Sequence, residues 1–393
     1  MDFKDFATRA VHAGSNADQN TGAVIAPISL STTFLHEVPG QPVGPHLYSR
    51  LSNPNRDDFE RAIAELEKSR FAVAFSSGSA AVASILLTLA KQCHMVSTAD
   101  LYGGTREFFN SFPQTQDISI TFSNKMDEEL ENIMIPGKTK LIWVETPSNP
   151  TLKVVDISKI ARMAHKHGAL LAVDNTFASP YLQNPLIHGA DIVVHSATKF
   201  INGHSDVVLG VIAFDSEHLL GQMRSVQKLF GAVPSPFDCW LAHRGLKTLH
   251  LRVRQASINA TGVARVLENS PHVLSVSYPG LESFPGRATV LKQHRDGMGG
   301  GMLSFRIKGG RARAEKFCAS TKVFRLAVSL GGVESLAELP AAMTHGVLPV
   351  DQREAADLYD DLIRLSCGVE GPDALITDIL QALEVAMTDQ NGV

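Results

Sequence analysis

Cysteine is scarce in this chain, and its four examples, Cys93, Cys239, Cys318 and Cys367, lie far apart. None has the close spacing of paired metal ligands, and their density is far below that of a disulfide-stapled secreted scaffold. They read as free thiols in a reducing compartment, with no metal site expected. Runs of Lys or Arg are also missing and the net charge is only −4, so neither nucleic acid nor an anionic membrane surface is expected as a partner. The opening residues, MDFKDFATRAVHAG, lack the apolar stretch of a secretory signal, and a cytoplasmic location is expected. Internal repeats and low-complexity segments are absent as well.

One stretch imitates a membrane span. Phe71 to Ala90 is a run of twenty uncharged residues between Arg70 and Lys91. Ser76-Ser77-Gly78-Ser79 interrupts it, which makes a short buried strand, a polar turn and a helix from Ala80 to Ala90 the better reading.

The chain has 393 residues, more than one hydrophobic core usually supports, so a large and a smaller domain are expected. Residues 1–55 carry little periodicity and many turn residues, and read as an arm that wraps a neighbouring subunit. Residues 56–250 read as the large domain and 251–393 as a C-terminal one. Asn55 is expected to cap a helix from Arg56 to Ser69, with Asp57 and Asp58 favourable against its N-terminal dipole. Strands are expected at Phe71–Phe75, His94–Ser97, Leu141–Glu145, Leu170–Asp174, Asp191–Ser196 and Val207–Ala213, with helices such as Asp156 to His167 between them. This alternation describes a mostly parallel sheet covered on both faces. A long helix from about Ala242 to Glu268 is expected to link the domains, followed by a strand at Gly301–Ile307 and a last helix at Pro372–Met387.

In open sheets of this class the ligand sits outside the carboxyl ends of the strands. Those ends carry Ser76-Ser77-Gly78-Ser79, Glu145-Thr146-Pro147, Asp174-Asn175-Thr176 and Ser196-Ala197-Thr198-Lys199. Lys199, held on a rim of hydroxyls, is the candidate amine for condensation with an aldehyde and for proton transfer. Any lysine taken alone is most often a solvated one. Ser196 and Lys199 also have the Ser-x-x-Lys spacing of penicillin-binding enzymes, but that motif opens a helix, whereas Phe200-Ile201-Asn202-Gly203-His204 has no helical period. Asp174 ends an apolar strand and is placed to keep a pyridine nitrogen protonated, or else to cap its own turn. Ser77-Gly78-Ser79 opens a helix whose first amides suit a phosphate, with Ser196 and Thr198 completing the cup.

Taken together, Phe75-Ser76-Ser77-Gly78-Ser79-Ala80, Glu145-Thr146-Pro147-Ser148-Asn149-Pro150, Val173-Asp174-Asn175-Thr176-Phe177 and His195-Ser196-Ala197-Thr198-Lys199 resemble the Cys/Met-metabolism enzymes that use pyridoxal 5′-phosphate (PLP). Asn202-Gly203-His204-Ser205-Asp206, Tyr48-Ser49-Arg50, Tyr102-Gly103-Gly104-Thr105, Ser329-Leu330-Gly331-Gly332 and Ile363-Arg364-Leu365-Ser366 extend the likeness over essentially the whole chain. Pro234-Ser235-Pro236-Phe237-Asp238 and Arg244-Gly245-Leu246-Lys247-Thr248 place it nearest the eukaryotic cystathionine γ-lyases. The resemblance implies an α/β, fold-type-I, aspartate-aminotransferase-like architecture with a smaller α+β C-terminal domain, and a homotetramer built from two tight dimers. It assigns Lys199 to a Schiff base with PLP, Asp174 to the pyridinium and Tyr102 to stacking on the ring. Gly78, Ser196 and Thr198 would contact the phosphate, Tyr48 and Arg50 would reach in from the neighbouring subunit, and Thr176 counts among the cofactor-binding residues. Arg364 would hold the α-carboxylate of an amino-acid substrate, helped by Ser329, Asn149 and Thr344.

Three positions depart from cystathionine γ-lyases. Those enzymes usually place Glu before Tyr-Ser-Arg, Arg two residues after Tyr-Gly-Gly-Thr, and Glu before Ser-Leu-Gly-Gly. Here these positions are Leu47, Glu107 and Val328. The implied reaction is γ-elimination or γ-replacement through a vinylglycine-type intermediate. The altered residues turn the expectation toward an uncharged distal group, as in methionine or an O-acylhomoserine, with ordinary cystathionine γ-lyase activity as the alternative.

Overall fold

A computed structural model describes residues 5–111, 116–346 and 349–388; residues 1–4 of the expected arm and 389–393 of the C-terminal segment lie outside them. A seven-stranded sheet forms the centre, in the order Phe71–Phe75, Gly210–Phe214, Ile192–Ser196, Leu170–Asp174, Thr139–Glu145, His94–Thr98, Ser119–Ser123. Every pairing is parallel except the two made by Gly210–Phe214, which runs against both neighbours. Near-continuous apolar strands such as Phe-Ala-Val-Ala-Phe are what a sheet buried on both faces needs. One face packs Val73, Ile85, Trp143 and Phe214; the other packs Ile160, Val173 and Leu171 under the Ile157–Lys166 helix, and Phe59 and Ile63 under Pro54–Glu67.

The structure corrects several expectations. The helix near residue 55 spans Pro54–Glu67, with Asn53 as its cap accepting from the amides of Asn55 and Arg56. Pro54 lacks an N–H and suits the first helical position. The Asn55 side chain instead accepts from Ser29 N at 2.8 Å and donates to Pro27 O at 2.9 Å, tying down the incoming chain. The start of the arm is not irregular: Phe6–His12 is a helix that buries Phe6 and Ala10. The strand expected at 207–213 begins only at Gly210, because Leu209 N donates to Thr198 Oγ1 at 2.9 Å and draws residues 207–209 away from the ladder. The edge strand Ser119–Ser123 escaped the sequence reading since its alternation is mostly polar. The long linking helix is two, Pro236–Leu246 and Leu249–Glu268. Buried Arg252 caps the break, donating to Gly245 O and to Phe200 O, both at 2.6 Å.

The C-terminal part holds a five-stranded sheet in the order Val273–Ser277, Met302–Ile307, Leu362–Ser366, Leu336–Glu338, Arg325–Leu326, antiparallel but for the last pair. Phe305 and Phe317 pack edge to face in its core, with ring centroids 5.2 Å apart. Among the described residues no helix is long and apolar enough to cross a membrane.

Candidate active site

The carboxyl ends of four central strands meet at a cavity of about 440 Å³. Of the residues expected from the sequence, Ser77, Gly78, Ser79, Tyr102, Asn149, Asp174, Thr176, Ser196, Thr198, Lys199, Val328, Ser329, Thr344 and Arg364 line it. Leu47, Tyr48, Arg50 and Glu107 do not line the cavity of their own chain. Arg50 donates to Lys228 O at 3.1 Å and lies over the Tyr48 ring, while Leu47, Tyr48 and Glu107 are exposed.

Lys199 follows the Ile192–Ser196 strand, its amide donating to Ser196 O at 3.1 Å. Its Nζ donates to Ser329 Oγ at 2.7 Å. The loop that carries Ser329 comes this close because Gly331 has φ +74° and a Cβ there would stand 2.7 Å from Phe200 N. Burial lowers the Lys199 amine to about 8; the neighbouring Arg364 charge adds to that and the Glu338 charge opposes it.

Asp174 and Glu145 are register partners on adjacent strands. Burial raises the Asp174 carboxyl, against hydrogen bonds from Thr176, whose amide reaches Oδ1 at 3.0 Å. Burial, and then Asp174, raise Glu145 well above the usual carboxylate range. Glu145 nonetheless accepts from Tyr102 N at 3.0 Å and Asn149 N at 2.7 Å, and so sets the two loops that carry those residues.

Arg364 sits mid-strand, opposite Ser304 on one side and Glu338 on the other. Nη1 donates to Asn149 Oδ1 at 2.8 Å and Nη2 to Ser329 O at 2.7 Å; Nη2 also pairs with the buried Glu338 carboxylate. The Thr344 hydroxyl donates to the same carboxylate. Among the described residues, buried Arg364 Nε has no partner, which leaves a donor for an incoming carboxylate. Sequence reasoning did not single out Glu338, and it placed Glu145 only as part of a polar strand end. A lone acid inside the apolar run Leu336-Ala337-Glu338-Leu339-Pro340 was the available signal for Glu338.

At the opposite rim the helix Gly78–Leu87 begins, with the Ser77 hydroxyl accepting from Ala80 N at 3.0 Å. A Cβ on Gly78 would lie 3.0 Å from Ser196 Cβ, so the glycine keeps this corner open in front of the first-turn amides. The Thr198 hydroxyl is already engaged with Leu209 O at 3.3 Å and Leu209 N. A desolvated amine, a desolvated carboxylate and an open helix N-terminus on one cavity match the aldehyde, ring nitrogen and phosphate of PLP.

The chain belongs to the Cys/Met metabolism PLP-dependent enzymes, whose family pattern matches residues 7–384. It is therefore a PLP-dependent enzyme of fold type I. Cystathionine gamma-lyase of Saccharomyces cerevisiae is 54% identical over 386 residues, covering 97% of this chain and 98% of the relative. The crystal structure of cystathionine gamma-lyase from yeast superposes with a TM-score of 0.95 at 52% identity, covering 99% of this chain and 100% of the other. A methionine gamma lyase from Micromonospora echinospora superposes with a TM-score of 0.89 at 39% identity, covering 96% and 99%.

Proposed function

We propose that this enzyme catalyses γ-elimination or γ-replacement on an amino acid whose γ-substituent is uncharged, such as methionine or an O-acylhomoserine. The observation that carries the reading is Val328, an apolar residue lining the cavity at the position where the resemblance to cystathionine γ-lyases implies Glu. Val328 is 55% exposed, so a distal ammonium brought there would keep much of its water but would gain no charged partner from this position.

Bound at Lys199, PLP supplies a protonated ring that accepts the electrons released when bonds at the substrate Cα ionise. Asp174 would hold the proton on the ring nitrogen. Arg364, steadied by Asn149 and Glu338, binds the α-carboxylate and orients the Cα–H bond. Once the substrate amine has displaced it from the cofactor, the Lys199 amine would take the proton from Cα and then one from Cβ, so that the γ-substituent can leave with the electron pair of its bond to Cγ. Ser329 orients that amine. Tyr102 would cover the ring, and Gly78, Ser79 and Ser196 would hold the phosphate. Tyr48 and Arg50 serve the cavity of a neighbouring subunit, within a cytoplasmic homotetramer made of two dimers. The arm (1–55), large domain (56–250) and C-terminal domain (251–393) would be its building units.

A second reading, ordinary cystathionine γ-lyase, is favoured by the 54% identity to the yeast enzyme over nearly the whole chain. Incubation with each candidate amino acid, with and without a thiol nucleophile, following both 2-oxobutanoate release and substrate consumption, separates the two. Methionine or O-acetylhomoserine turning over faster than cystathionine supports the first; a preference for cystathionine leaves the second.

A further inference from the structure

Behind the cavity, on the far face of the central sheet, lies a buried polar network that the chemistry above does not use. Side chains alternate along a strand. Asp174, Val194 and Ser196 line the cavity, whereas Asn175 and His195 point away from it and are wholly buried. Both meet one carboxylate, that of Glu67, the last residue of the Pro54–Glu67 helix and itself fully buried. His195 Nε2 donates to Glu67 Oε1, and Asn175 Nδ2 donates to the same oxygen at 3.1 Å. Asn184 Nδ2 donates to Oε2 at 3.3 Å. From Asn175 the network continues: Gln183 Nε2 donates to Asn175 Oδ1 at 2.9 Å and to Thr146 O at 3.0 Å. It thus runs under the three strand ends that carry Glu145, Asp174 and Ser196. Among the described residues His195 Nδ1 has no partner, so Glu67 is the only polar anchor of that ring.

We infer that Glu67 is a positioning residue for the cofactor, holding the strand end of Asp174 and the strand end of Ser196 at one spacing from behind the sheet. The inference rests on the placement of PLP in the cavity. The ring nitrogen and the phosphate are fixed points of one molecule, so Asp174 and Ser196 serve it together only while their separation is held. A carboxylate that accepts from the neighbour of each fixes that separation more firmly than apolar packing, because its hydrogen bonds are directional and, once buried, cannot be exchanged for water. A purely structural role would be to pin the helix end to the sheet; the two roles differ in what they do to the cofactor.

Glu67→Gln keeps the shape and one acceptor oxygen but removes the charge. In the holoenzyme it is expected to weaken PLP binding by about tenfold or more, read by titrating stripped protein at about 420 nm. The visible circular dichroism of the bound cofactor should shrink as well. Glu67→Asp retains the charge but withdraws it by one methylene, and should fall between. The control is Asp378→Asn, a buried carboxylate accepting from the amides of Lys322, Val323 and Phe324 at 2.7, 2.8 and 2.9 Å, none of which lines the cavity. It should lower the melting temperature and leave cofactor affinity as in the wild type. Glu67→Gln lowering the melting temperature while PLP affinity and dichroism stay within about twofold of wild type overturns the inference. If Glu67→Gln does not accumulate as folded protein, the same criterion is applied to Glu67→Asp. Wild type and Lys199→Ala are titrated alongside, so a wrong placement of the cofactor appears in those two proteins and not at Glu67.

Discussion

The Lys199 amine donates to the Ser329 hydroxyl at 2.7 Å across 130 positions of sequence, joining the end of a central strand to a loop of the C-terminal part. The same loop gives its Ser329 carbonyl to Arg364. The amine and the guanidinium are thereby set by one short segment, and a shift of that segment would displace both.

Borohydride reduction of the holoenzyme is expected to label Lys199 and no other lysine, and Lys199→Ala to abolish the linkage with nearly all turnover. Peptide mapping after reduction checks this; label on a different lysine refutes the assignment.

The pH dependence follows from the lowered amine. Cofactor recapture by stripped protein should accelerate as pH rises through about 8 and then level off, since only the free amine condenses. Glu338→Gln removes a charge that raises Lys199, and should move the midpoint lower. Between about 8 and the ordinary 10.5 the folded chain binds fewer protons than the unfolded one, so this group makes cofactor-free stability rise with pH across that window. A recapture midpoint near 10.5 would show that the amine is not desolvated.

Asp174→Asn should still bind PLP but lose most of its rate, because a neutral pyridine is a poor electron sink. Single-turnover kinetics at saturating cofactor measure this, and near wild-type rates would mean the carboxylate does not face the ring.

Arg50→Ala should weaken cofactor retention. Mixed with Lys199→Ala, it should regain activity if Arg50 serves a neighbour's cavity, since hybrid dimers then carry one intact site. The exposed position of Arg50, outside its own cavity, motivates the test. No recovery after demonstrated subunit exchange assigns Arg50 to its own chain.

With Leu47 acting, like Tyr48 and Arg50, on the cavity of a neighbouring subunit, Leu47→Glu combined with Val328→Glu should shift the ratio of kcat/KM values toward cystathionine by about tenfold or more, each carboxylate offering the distal ammonium a charge-assisted hydrogen bond. An unchanged ratio would show that these two positions do not contact the distal group.

Much of the site was legible because its determinants are local. An apolar strand ending in Asp174, another running into Ser196-Ala197-Thr198-Lys199, and a Ser-Gly-Ser turn opening a helix each declare themselves within about ten residues, and the parallel-sheet class follows from their alternation. Local pattern also shows which residues face inward, but not which strand lies beside which. Glu338 meets Arg364 only through the register of two antiparallel strands 26 positions apart, and Glu67 meets His195 across 128. Such partners surrender their hydration only inside the assembled core, so their pairing, the break at Arg252 and the reach of Ser329 to Lys199 were decided by tertiary packing alone.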